Sequence, residues 1–161
     1  MRRFDLRSLR FGEGSELERE LVVEVAPFHF GGAEYGVAGG QVTLGFMATR
    51  VGSRLTLNAE LETVLHGPCQ RCLEDAHYAL VVEGDEYVLE GESEGVEADE
   101  EGYVTGHMID LEVWVRDLIG AELPTKILCR DDCSGLCPVC GQNLNADPDH
   151  VHETSTEDAG I

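Results

Sequence analysis

Six cysteines fall into three pairs, Cys69-x2-Cys72, Cys129-x3-Cys133 and Cys137-x2-Cys140. A two-residue gap lets both thiolates of a tight turn face one metal ion, and structural zinc takes four nitrogen or sulfur ligands in a tetrahedron. The run "CPVCG", Cys137 to Gly141, also carries glycine after its second cysteine, where the turn asks for a backbone conformation that a Cβ disfavours. The run "CQRC" meets the spacing alone. The favoured reading sets these two knuckles face to face, with Cys69, Cys72, Cys137 and Cys140 around one Zn2+. Cys129 and Cys133 are the alternative ligands, either with Cys69 and Cys72 or with Cys137 and Cys140 in a purely local site. A chain with no metal is the remaining reading. The two cysteines left over in any metal case serve as small buried hydrophobes or as exchange ligands. Four thiolates on Zn2+ leave a formal charge of about −2, so nearby cations help. Arg71 lies inside one knuckle and Lys126 and Arg130 flank the other cysteines, in position to support the metal or to meet a partner.

The rival chemistry for "CQRC" is thiol redox catalysis. That needs the first cysteine at a helix N-terminus in a βαβ setting, where its pKa falls. Here the pair follows one strand-like run and precedes "LEDAHYALVV", another. The histidines add little: His150 and His152 fall in a polar tail and read as solvated, and His29, His66, His77 and His107 are scattered. The chain has no phosphate-binding loop, dinucleotide glycine motif or HExxH helix. It is therefore read as a non-enzyme.

These cysteines must be positioned by a body that reads as α+β. The runs Glu20 to Phe28, Gln41 to Val51, Ser53 to Leu65 and His77 to Leu89 are rich in Val, Leu, Thr and Tyr. In "RLTLNAELETVL", Leu55, Leu57, Ala59, Leu61, Thr63 and Leu65 share one face, and Arg54, Thr56, Asn58, Glu60 and Glu62 share the other. Period-two alternation of this kind is that of a half-buried antiparallel strand. Gly52-Ser53 reads as a hairpin turn, and Gly31-Gly32 and Gly39-Gly40 as loops. Asp110 reads as an N-cap, followed by Leu111, Trp114, Val115, Leu118, Ile119 and Leu123 on one helical stripe that Pro124 ends. The expected architecture is a strand-rich antiparallel body over 4–89, an acidic loop over 90–102, and a helix at about 110–123. A cysteine-rich zinc-knuckle segment, 108–145 with the helix, completes one domain of residues 1–145. Residues 146–161 read as a polar flexible tail.

The chain has 161 residues, 32 of them acidic against 11 basic, for a formal net charge of −21. Such a surface repels nucleic acid, whose binding depends on Lys and Arg displacing counterions, and it suits basic protein partners. The exception is a basic arm of Arg2, Arg3, Arg7 and Arg10, which could touch RNA locally. No apolar run approaches the roughly 20 residues that cross a bilayer. No apolar block follows the N-terminal arginines as a secretory signal requires. A cytoplasmic location is expected, and there paired cysteines read as metal ligands in preference to disulfides.

Read in order, "GPCQRCLED", "IDLEVWVRDLIGAELPTKILC" and "CSGLCPVCGQNLN" resemble the YceD family, the large ribosomal RNA subunit accumulation proteins. The resemblance spans roughly Arg2 to Asn145 in organisation, with its specific motifs in the second half. It implies a bacterial or organellar protein needed for accumulation of 23S ribosomal RNA, and it brings no catalytic residues. The resulting expectation is a ribosome-biogenesis factor that acts through protein contacts with a large-subunit precursor or a basic ribosomal protein. Contact with rRNA would be indirect or weak, and the zinc would act as a staple. The alternative is a zinc-stabilised acidic adaptor for another basic protein.

Overall fold

The computed structural model describes residues 2–10, 12, 14–89 and 102–152. Alternating apolar positions build its main antiparallel sheet from β2 (Glu16–Glu24), β5 (Gln41–Val51), β6 (Arg54–Pro68) and β7 (Asp75–Leu89). The central strand β6 pairs with β7 along its whole length, from Arg54 opposite Leu89 to Pro68 opposite Asp75. Its other edge is shared. β5 pairs with residues 54–60, and β4 (Ala33–Val37) pairs with Leu65 and His66. β3 (Phe28–Phe30) closes a short hairpin on β4. A second, three-stranded sheet has the order β1 (Arg3–Asp5), β9 (Met108–Asp110), β8 (Val104–Thr105).

The alternation in β6 sends Leu55, Leu57, Ala59, Leu61 and Leu65 into the core beside Leu44, Phe46 and Val23. The helix α1 (Leu111–Ala121) covers this face. Asp110 is its N-cap, the carboxylate accepting from the backbone N–H of Val113, and Leu111, Trp114, Val115 and Ile119 are buried. The chain leaves the helix at Ala121, three residues before Pro124, whose ring disfavours helix in the residue before it. Gly84 on β7 makes room for the helix: a Cβ there would lie 2.3 Å from Cδ2 of Leu118.

The antiparallel strand-rich body with one helix is as expected, and β5 has the expected bounds. Gly31-Gly32 turns the β3–β4 hairpin, and Gly52-Ser53 turns β5 into β6. β6 and β7 both continue beyond the sequence-based bounds, to Pro68 and back to Asp75, so their connection is the cysteine turn itself. The small sheet and the β3–β4 hairpin were not anticipated, because strands of two to five residues carry too little alternation to be read. The acidic loop expected at 90–102 lies outside the described residues except for Gly102, as does the tail beyond His152.

Candidate metal centres

The first centre forms where β6 ends and β7 begins. Tyr35, fully buried, donates its hydroxyl to the Pro68 carbonyl at 2.8 Å and fixes the strand end just before Cys69. Gly67 lacks a side chain where that ring lies, since a Cβ would sit 2.3 Å from it. The chain then makes a tight turn. The N–H of Cys69 donates to the carbonyl of Glu74 at 2.7 Å, and the N–H of Leu73 donates to the carbonyl of Cys69 at 2.9 Å. After the helix, buried Ile127 presents its carbonyl to the N–H of Gln70 at 3.0 Å, laying the chain beside the turn. Two residues later begins the Cys129–Cys133 turn.

The result is a four-sulfur cluster. Cys69, Cys72, Cys129 and Cys133 have their sulfurs all within 4.8 Å of one another and could hold a metal ion. Cys69 Sγ is 3.7 Å from Cys133 Sγ, and Cys72 Sγ is 3.5 Å from Cys129 Sγ. A tetrahedron with metal–sulfur bonds of about 2.3 Å has edges of roughly 3.8 Å, so these two pairs stand at coordination spacing; a disulfide would need about 2.05 Å. Cys69, Cys72 and Cys133 are buried and belong to the main core, while Cys129 is exposed at the rim. Burial raises the Cys69 thiol, but the backbone N–H groups of Cys72 and Arg71, with that of Cys129, outweigh it and lower the pKa to about 6. Burial raises the thiols of Cys72 and Cys129, and the Asn145 amide leads the causes that lower Cys133. Thiols this close share protons, and part of the set is thiolate near neutrality, the form that binds metal.

The surroundings hold this arrangement. Arg71 donates to the carbonyl of Cys133 at 2.8 Å, joining the two turns through the backbone. Asn145 Nδ2 lies 3.3 Å from Cys133 Sγ, and its Oδ1 accepts from the Ser134 N–H and from Arg130, each at 2.8 Å. Gly135, at φ 79°, lets the chain pass the carbonyl oxygen of Arg71, 3.3 Å from where a Cβ would stand. Of the three cations expected here, Arg71 and Arg130 therefore brace the cluster, whereas Lys126 is exposed just before Ile127. Asn145 was missed by sequence reading. Its one available signal was a position shortly after the second knuckle.

The favoured sequence pairing brought Cys137 and Cys140 to Cys69 and Cys72. The structure brings Cys129 and Cys133 there, the alternative ligand set, and places Cys137 and Cys140 in a different cluster. The physical reason is that the Gln70–Ile127 and Arg71–Cys133 contacts seat the nearer cysteine turn against the first knuckle before the chain reaches Cys137. Around Cys137 the backbone repeats the first turn: its N–H donates to the Gln142 carbonyl at 2.8 Å, and the Gly141 N–H donates to its carbonyl at 2.8 Å. Cys137, Cys140, His150 and His152 are grouped with their ligand atoms within 4.8 Å. The N–H groups of Cys140 and Val139 lower the Cys137 thiol to about 6.

The basic arm is matched to carboxylates. Arg2 lies 3.3 Å from Glu112, Arg3 3.3 Å from Asp110, and Arg7 2.8 Å from Asp5, with all three guanidinium groups largely exposed. Arg10 is also exposed. Among the described residues, no helix is long and apolar enough to cross a membrane.

A family model described as "Large ribosomal RNA subunit accumulation protein YceD" matches residues 57–159, from near the start of β6 through both cysteine clusters. The chain belongs to the YceD family. YceD-type organisation thus covers the strand pair β6–β7, the helix and all six cysteines. Similar curated proteins include an uncharacterized protein of Mycobacterium tuberculosis, 42% identical over 90 residues, which are 54% of this chain and 44% of the relative. One of Mycobacterium leprae is 38% identical over 88 residues, 53% of this chain and 41% of the relative. The aligned part thus spans less than half the length of these relatives. No solved structure matches the chain. The family's description names accumulation of the large ribosomal RNA subunit, and this is the same family that the motifs resemble.

Proposed function

We propose that this YceD protein is a non-enzymatic, cytoplasmic ribosome-biogenesis factor. It supports accumulation of 23S rRNA by docking a basic protein of the large-subunit precursor, and a structural Zn2+ on Cys69, Cys72, Cys129 and Cys133 staples it. The observation that carries the docking reading is the sheet face opposite the helix. Across it, Glu20 stands opposite Gly45, Gly45 opposite Glu60, and Glu60 opposite Glu83. The neighbouring row runs Glu18, Met47, Asn58, Asp85. Gly45 has no side chain, so the rows line a groove of about 600 Å³ whose lining includes the carboxylates of Glu18, Glu20, Glu60, Glu83 and Asp85 against the one guanidinium of Arg19. Like charges directly opposite on neighbouring strands destabilise a sheet. A cationic partner would remove that repulsion, which gives the face a reason to bind Lys and Arg side chains and to repel phosphates. The Arg2, Arg3 and Arg7 carboxylate pairs leave the basic arm little net charge for RNA, which favours a protein partner.

The zinc reading rests on the chemistry of the donor set: four sulfurs clustered within 4.8 Å of one another suit Zn2+ and exclude hard cations such as Mg2+. With all four positions taken by protein, such an ion has a holding role.

The test is a crosslinked pulldown of the full chain from cells, with the 23S to 16S ratio measured on depletion. Expected are a lowered ratio and enrichment of a basic large-subunit protein. Glu60→Lys with Glu83→Lys should abolish that capture while leaving the fold intact by circular dichroism. Tight, steeply salt-dependent binding to naked rRNA would contradict docking through protein. Capture of a basic partner outside ribosome assembly, with an unchanged 23S to 16S ratio, would favour the adaptor reading.

A further inference from the structure

The C-terminal knuckle has its own partners, and they are histidines. His150 Nε2 lies 3.3 Å from Cys140 Sγ and 3.1 Å from His152 Nε2, and the two rings meet edge to face with centroids 4.7 Å apart. Tetrahedral Zn2+ bound by two sulfurs and two imidazoles has sulfur–nitrogen edges of roughly 3.6 Å and nitrogen–nitrogen edges of roughly 3.3 Å. The observed spacings are within a few tenths of an ångström of both. Two imidazoles aiming the same ring nitrogen at one point beside two thiols is an arrangement that a shared cation explains and that solvated tail histidines do not.

A supporting contact strengthens the assignment. Asp147 Oδ2 lies 3.9 Å from Nδ1 of His150, on the far side of the ring from the cluster, and Gln142 donates to that same oxygen at 3.2 Å. At 3.9 Å the contact is electrostatic and not a hydrogen bond, but it sets a carboxylate on the side of the ring from which metal-bound histidines are oriented. Gln142 also offers its backbone carbonyl to Cys137, so one residue serves the knuckle and the carboxylate behind the histidine. His150 is only 14% exposed at its side chain although it is near the end of the described chain.

We propose a second metal centre, built from Cys137, Cys140, His150 and His152, that takes a divalent ion of borderline softness, Zn2+ foremost. Two sulfurs and two nitrogens in a tetrahedron select zinc over hard cations. Its situation differs from that of the four-sulfur set. Cys140 and His152 are exposed, whereas three of the four sulfurs of the first centre are buried, so the second ion exchanges faster with solvent. It also ties residues 137–152 into one loop. Asn145, which approaches Cys133 of the first centre, lies within that loop, so occupancy of the outer centre steadies the inner one.

The test is a Co2+ and Zn2+ titration of the tag-free full chain. Two equivalents per chain are expected. The Co2+ form should show an all-thiolate spectrum and a second, weaker thiolate charge-transfer set typical of two sulfurs and two nitrogens. His150→Ala with His152→Ala should remove one equivalent and the second spectrum alone, while the all-thiolate spectrum shows that the chain has folded. A chelator should extract the ions in two phases, the mixed-ligand ion first. One equivalent with only an all-thiolate spectrum would overturn the second centre, as would unchanged stoichiometry in the double variant. One equivalent with only the mixed spectrum would support it and would instead sink the zinc staple proposed above.

Discussion

At the residue scale, the two knuckles can be compared atom for atom. Each has the first cysteine donating to a carbonyl five residues on and receiving an N–H four residues on. The residue that donates this last bond is left-handed in both, Gly141 at φ 75° and Leu73 at φ 65°. A left-handed residue with a Cβ costs roughly 1–2 kcal/mol. Leu73 is 68% exposed and so has little packing to offset that cost. Leu73→Gly is therefore expected to be neutral or stabilising by up to about 1 kcal/mol, after the greater unfolded-state freedom of glycine is subtracted. Gly141→Ala should lose about 1 kcal/mol. Urea unfolding of the zinc-loaded protein checks both, and a loss above 1 kcal/mol in Leu73→Gly would mean that the Leu73 side chain has a role the φ argument misses.

At the element scale, α1 is held at its start and along its buried stripe. Asp110 caps the helix through Val113 and also receives Arg3. Asp110→Ala should cost about 1 kcal/mol, the usual worth of an N-cap, and should loosen β1 because Arg3 loses its carboxylate. Hydrogen exchange faster at Val113 than at Ile119 would report the fraying. Trp114 is 1% exposed and central to the stripe. Trp114→Ala should cost about 3–5 kcal/mol. The helix meets the sheet at Gly84, so Gly84→Val should force Leu118 aside at about 1–3 kcal/mol, read as a lowered midpoint in thermal or urea unfolding. An unchanged midpoint would show that Leu118 rearranges without strain.

For the whole molecule, the division of labour is between a sheet with its own core and a C-terminal segment fastened by cysteines. The body buries residues from β2, β5, β6, β7 and α1 in one cluster, to which the segment adds chiefly Ile127 and Cys133. Removing metal with a chelator is expected to raise hydrogen exchange across 127–152 and to leave β5, β6 and most of β7 protected. Structural zinc contributes on the order of 10 kcal/mol in small metal domains that have no core, and a sheet of this size depends on it less. Cooperative loss of all strands on mild chelation would refute that division. Cys69→Ser should mimic chelation, because a single lost thiolate undoes a four-ligand set.

The sequence by itself determined what is local. Alternation from Leu55 to Leu65 set the core face of β6, Asp110 and the stripe from Leu111 to Ile119 set the helix, and each two-residue cysteine spacing set a knuckle. The motif order also carried the family. Only the tertiary structure decided which ligands meet. "CQRC" and "CPVCG" make the same turn, so nothing local distinguishes their partners. That choice depends on contacts 57 and 64 residues apart in sequence, between Cys72 and Cys129 and between Cys69 and Cys133. It also depends on the backbone bond between Gln70 and Ile127 that brings those turns together. The histidines were illegible for the same reason. An HxH in a polar tail has no periodicity to interpret, and it becomes a ligand pair once the chain folds back over Cys140.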